Sequence, residues 1–337
     1  MEKIERKKDL SNVIAILKSE WEEKLSIIIG EKDINIELEV VEALKYNAWA
    51  SRKANDPHPN SYIISIYDGV FHENWNFYHG HFIKENADLI RMAAFEDEEF
   101  NFDDNFTIML ANLYFRASMN FVFFHEVGHI INGHLNYLKS IRENQNSLKM
   151  NKKKSALIKD KGITAYEHQA IEIDADLFSC NTLIEQIIAE YRVKKELATP
   201  TPYGIANNEK RLLLMLFSAM INESSLRLIG ENRGDWDLEE DCYIPPRMRL
   251  KVFLDEFIKK MNTYVKNDEY PQELFQEHVD AFEDIINKYL VDKHGFVKSA
   301  FSTENSRDEL EKPVIEHVEF LFKEIYPSLK EKINKLN

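Results

Sequence analysis

The strongest constraint on this chain is residues 121–134, Phe-Val-Phe-Phe-His125-Glu126-Val-Gly-His129-Ile-Ile-Asn-Gly-His134. Four apolar residues lead into the motif, so a helix carrying it must be buried. Two histidines and a glutamate in a buried helix are costly unless something pairs with them. At about 100° per residue, His125 and His129 lie about 40° apart and one turn along the axis, so both imidazoles reach a single ion. Glu126, displaced around the helix, can hydrogen-bond water activated at that ion instead of ligating it. The spacing predicts a zinc centre with a general base beside it.

A hydrolytic zinc usually takes a third protein ligand and leaves the fourth position to water. His134 lies nine positions from His125, about 180° around a continuous helix, and cannot share the ion unless Gly133 ends the helix first. The metzincin pattern fails, because Asn132 and Leu135 stand where it needs Gly and His. The next helical segment carries Glu172-Ile-Asp174-Ala175-Asp176, with Glu172 and Asp176 four apart on one face. Glu172 is the expected third ligand, and Asp176 the expected acceptor of the outer N–H of His125. Asp176, Asp174, His168 and His134 stay open as alternative third ligands. Ala175 is small enough to let the two helices approach closely.

Periodicity supplies a frame for such a site. Residues 2 to 29 place Val13, Ile14, Leu17, Trp21, Leu25 and Ile28 at mostly helical spacing, closed by Gly30 as a C′ residue. From Ile34 the period becomes two, through Ile36, Leu38 and Val40, and a second strand-like run, Ser61 to Tyr67, follows the turn-rich Asn55 to Asn60. From about Asn105 the period is helical almost to the end, over 106–142, 164–197, 209–230, 246–266, 271–291 and 312–335. The fold class expected is α+β and mainly helical. An N-terminal helix (1–30), a central domain holding the metal residues (31–266) and a C-terminal helical extension (267–337) follow, the last boundary falling at Asn267 to Pro271.

Charge narrows the partners. The net charge of −15 repels phosphate backbones and anionic lipid surfaces, so neither nucleic acid nor membrane is expected as a partner. The longest apolar stretch, Leu212 to Ile221, is far short of the ~20 residues of a spanning helix. Two cysteines cannot form a disulfide framework, and the N-terminus lacks the apolar region of a signal peptide, which together predict a cytoplasmic protein. The basic stretch Lys139 to Lys161 reads as a solvated loop. His72, His79 and His81 read as packing residues rather than a second metal site, and Cys180 as a small buried hydrophobe.

His125-Glu126-Val-Gly-His129, followed 43 residues later by Glu172-x-x-Ala175-Asp176, resembles the gluzincin metallopeptidases. Upstream, Asn47-Ala48-Trp49-Ala50 and then Tyr62 to Val70 look like the Asn-Ala strand and following edge strand that such enzymes place over the zinc helix. Gly128-His-Ile-Ile-Asn-Gly-His134 with Glu172-x-Asp-Ala-Asp176 looks most like the Lit-type phage-exclusion peptidases. The resemblance covers roughly residues 34 to 260. It implies a core of a small sheet, an active-site helix and a glutamate helix, with extra C-terminal helices. His125, His129 and Glu172 would bind Zn2+, the substrate would be a cellular protein or peptide, and a phage- or host-derived activator could trigger cleavage. The chain departs from the membrane-bound gluzincins in lacking spanning helices, and their His-Pro-Pro segment reads here Tyr243-Ile-Pro-Pro-Arg247.

In the reaction so implied, Glu126 accepts a proton from water and delivers it to the leaving amine. Tyr243, Arg247 and Arg249 are candidates to stabilise the tetrahedral oxyanion. A substrate chain could add as a strand beside Ser61 to Tyr67, unless that strand is paired within the sheet. The rival is a zinc-binding regulatory or interaction protein of the same fold without turnover. Glu126 argues against it, because a structural site would be closed by four protein ligands.

Overall fold

The structure, a computed structural model, describes residues 2–54, 56–82, 104–146, 163–196 and 316–336, with scattered residues within 216–227, 259–263 and 284–295. Helix α1 (Glu2–Ile29) buries Leu10, Leu17, Trp21 and Leu25 along one stripe and ends at Gly30, whose φ of +54° suits a glycine C′ residue. Trp21 fixes its seat. The indole stacks on Phe123 at 4.8 Å between centroids and donates from Nε1 to Asn120 Oδ1 at 2.7 Å. The N-terminal helix thus shares the main core.

Strands β1 (Asn35–Val41), β2 (Ala48–Arg52) and β3 (Ser61–Tyr67) form one sheet in the order β1-β3-β2, with β3 parallel to β1 and antiparallel to β2. The central β3 buries Tyr62, Ile64, Ser65 and Ile66, which is why its run is not a strict apolar–polar alternation. Of the two readings of Ser61 to Tyr67, the free edge is corrected: both sides of this strand are paired, and among the described residues the edges of the sheet are β1 and β2. The last residue of β3 leads into α2 (Asp68–Trp75) and a π-helical continuation, Asn76–Phe82. Gly69 N–H donates to Ala43 O at 2.9 Å, and a Cβ at this position would stand 2.3 Å from Lys45 O, so the turn needs glycine. In the π-helical stretch His79 stacks on Trp75 and His81 packs against Tyr289, the packing role expected of them.

Helix α3 (Asp104–Ile131) is buried nearly all round, with Leu110, Phe115, Phe121, Phe123 and Phe124 fully enclosed. It lies between the sheet and α5 (Ala165–Glu196). Cys180 of α5 is buried in the same core. The helix expected over 106–142 is interrupted: Gly133, with φ of +79°, closes α3, and α4 (His134–Asn146) starts afresh. Asn136 of α4 accepts from Arg52 Nη1 and, at 3.1 Å, from Tyr62 OH, which pins α4 to the sheet.

The C-terminal segment continues through the π-helical Leu321–Ile325 into α6 (Tyr326–Asn334), whose Leu329 and Ile333 pack with Tyr137 of α4 and Ala170 and Ile171 of α5. Glu167 ties this region together. Its carboxylate accepts from Lys332 Nζ at 2.7 Å, Tyr137 OH at 3.0 Å and Thr164 N–H at 3.0 Å, while Thr164 Oγ1 accepts from Glu167 N–H at 3.1 Å, a capping box at the start of α5. Burial alone would raise the Glu167 pKa, but the Lys332 ammonium, the Thr164 N–H and the Tyr137 hydroxyl outweigh it and lower it. A depressed folded pKa means stabilisation that is complete above the ordinary carboxylate range, near 4.3, and is lost as pH falls through the lower folded value. Amide exchange in 326–334 is therefore expected to rise below about pH 4, and Glu167→Gln should flatten that dependence.

The helices expected over 209–230, 246–266 and 271–291, and the basic stretch from 147 to 161, fall largely or wholly outside the described residues. Among the described residues, no helix is long and apolar enough to cross a membrane.

Candidate metal centre

His125 and His129, one turn apart on α3, bring their Nε2 atoms to 3.1 Å from each other. Glu172 reaches in from α5, its Oε2 3.4 Å from His125 Nε2 and its Oε1 3.6 Å from His129 Nε2. The three groups are buried, and among the described residues they are the one His/Cys/Asp/Glu set gathered closely enough to hold a metal ion. Close helix packing makes this possible. A Cβ on Gly128 would lie 3.2 Å from Ala175 Cα, Ala175 O and Phe178 Cβ, so glycine on α3 and alanine on α5 set the separation across which Glu172 reaches.

The alternative third ligands have other places. Asp176 Oδ1 lies 2.7 Å from His125 Nδ1, the outer nitrogen, as the four-residue spacing from Glu172 led us to expect. The break at Gly133 swings His134 round to α3, but to the far side of His129: the two Nδ1 atoms are 3.1 Å apart, and His134 Nε2 is 3.0 Å from Asp174 Oδ2. Asp174 is engaged there rather than at the Nε2 pair, and His168 is not in the gathered set. Tyr243, Arg247 and Arg249 lie outside the described residues.

One cation at the site escaped the sequence reading. Arg227 Nη1 is 3.6 Å from Asp176 Oδ1, and its guanidinium sits over the Phe121 ring at 5.6 Å. Its only sequence signal is a charge between Leu226 and Leu228.

Glu126 is buried one position from His125. The phase of the β2–β3 ladder is set by Tyr67 N–H donating to Asn47 O and Lys53 N–H donating to Ser61 O, so Ala48, Ala50 and Arg52 turn their N–H and C=O groups away from β3. The outward N–H of Ala50 donates to the Glu126 carboxylate. Burial raises the Glu126 pKa, and Glu172 adds to the rise, against the opposing pull of His125, Arg227 and the Ala50 N–H. Burial pushes His129 well below the usual imidazole range. For His125, burial and Arg227 pull the pKa down, but Asp176 and Glu172 outweigh them and raise it.

Asp176 accepts the outer N–H of His125, so its loss frees that imidazole to turn. Asp176→Ala is expected to weaken metal binding about 10–100-fold, read by chelator competition; an unchanged affinity would remove Asp176 from this role.

Searches of protein-family models, of curated proteins and of solved structures find no match to this chain.

Proposed function

We propose that the chain is a zinc-dependent endopeptidase of the gluzincin type, hydrolysing a peptide bond in a cellular protein. Phage exclusion or defence is the biological setting, on the motif resemblance. One observation carries the reading: two imidazole nitrogens and a carboxylate, all buried and drawn from two helices, face one point, with a further buried carboxylate, Glu126, beside them. The donor set fits zinc. Tetrahedral ligands at about 2.0–2.1 Å lie roughly 3.3–3.4 Å from one another, and the contacts here are 3.1, 3.4 and 3.6 Å. Two imidazoles with one carboxylate also suit zinc better than a hard cation.

Bound there, zinc supplies Lewis-acid polarisation of the scissile carbonyl and lowers the pKa of water toward ~7. Glu126 takes the water's proton on its carboxylate and passes it to the nitrogen of the leaving amine. Ala50 N–H holds that carboxylate in place, and Asp176 keeps the proton of His125 on Nδ1, leaving Nε2 as a lone-pair donor. The outward backbone groups of β2 give a substrate chain a strand to pair with that runs past Glu126. Metal analysis combined with N-terminal mapping of cells expressing wild type or Glu126→Gln tests the proposal. New termini confined to the wild type are expected; the same termini in both would overturn it.

A further inference from the structure

We propose that His134, Asp174 and Tyr326 are positioning residues for the second metal ligand: through one imidazole they hold His129 by its Nδ1 and so aim its Nε2 at the ion. The inference rests on the metal reading above. His129 and His134 face each other through Nδ1 at 3.1 Å, so one hydrogen lies between two nitrogens. On its other side His134 meets a carboxylate oxygen, Asp174 Oδ2, at 3.0 Å. A carboxylate only accepts, so His134 carries its hydrogen on Nε2, and a neutral His134 then offers the Nδ1 lone pair. His129 accordingly donates from Nδ1 and keeps a lone pair on Nε2, the atom that faces His125 Nε2 and Glu172.

Asp174 is itself held by three side chains. Its Oδ2 accepts from Asn132 Nδ2 at 2.6 Å as well as from His134, and its Oδ1 accepts from Tyr326 OH at the start of α6. His134 is fully buried, so its ring has no water to turn toward. The two ligands are therefore supported differently: His125 directly by Asp176, and His129 by Asp174 through an intervening imidazole, with the C-terminal helix closing the chain. Gly133 makes this possible, since on an unbroken helix His134 would lie far around the axis from His129's outer face.

The test is zinc affinity of the full-length protein, measured by competition with a chromogenic chelator, with the absorption of the cobalt-substituted protein as a second readout. His134→Phe is expected to bind zinc about 10–100-fold more weakly and to shift the cobalt bands. His134→Gln, whose amide both accepts and donates, is expected to restore most of the affinity. Tyr326→Phe, which removes one hydroxyl from Asp174, is expected to weaken binding a few-fold and keeps the test open should His134→Phe not fold. Wild-type affinity and spectrum in His134→Phe, or in Tyr326→Phe if that variant alone folds, would overturn the inference while leaving the metal site intact. A wild-type protein that takes up no zinc would remove the metal reading, and this inference with it.

Discussion

Glu126→Gln is expected to bind zinc with wild-type stoichiometry and to hydrolyse its substrate about 10²–10⁴-fold more slowly, a barrier increase of about 3–5 kcal/mol. Glutamine is nearly isosteric, still offers an oxygen to the Ala50 N–H, and leaves His125, His129 and Glu172 untouched. What it lacks is basicity. A carboxylate can accept a proton from water and return it, and an amide cannot. Zinc per chain, and initial rates on a peptide spanning a mapped cleavage site, measure the two halves separately. Full activity in the variant would move the base elsewhere, and loss of metal would make Glu126 a structural residue.

Gly128→Val is expected to destabilise the protein by about 1–3 kcal/mol and to weaken metal binding in the same step. By intrinsic propensity a glycine inside a helix is unfavourable by about 1 kcal/mol relative to alanine, so a local view would predict a gain on replacing it. The packing decides otherwise. A Cβ there already stands 3.2 Å from Ala175 backbone atoms and Phe178 Cβ, and the two further methyls of valine must push α3 and α5 apart. Gly128 adjoins His129, and Ala175 follows Glu172 by less than one turn. Separating the helices therefore draws the carboxylate away from both Nε2 atoms. Urea unfolding with and without zinc reads the effect, with Gly128→Ala as the graded control in which propensity and crowding oppose each other. A valine variant as stable as wild type would mean that the contact does not set the helix spacing.

Much of this architecture was legible beforehand because it is local. The stripe of Leu17, Trp21 and Leu25, the period-two run through Ile36 and Leu38, and the 165–196 helix all appear where their periodicity places them. The pairing of Asp176 with His125 followed from its four-residue offset from Glu172. Ser61 to Tyr67 was less legible: its near-continuous apolar pattern marks a strand buried on both faces, but sheet order depends on which neighbours arrive. Arg227 was not legible, because a charge between two leucines does not specify which surface of α5 it meets.

By itself the sequence determined that residues 125, 126 and 129 sit on one buried helix, since spacing along a helix settles angular position regardless of the rest of the chain. It also determined that a partner of opposite charge was required, because imidazoles and carboxylates are not left bare in an apolar interior. Only the tertiary structure decided which carboxylate meets the histidines, that β2 is the strand whose Ala50 N–H turns toward Glu126, and that His134 backs His129 instead of joining the His125–His129–Glu172 group. Those outcomes turn on a helix separation set by the Gly128–Ala175 contact and on one left-handed residue, Gly133, whose consequences are distances between segments far apart in the chain.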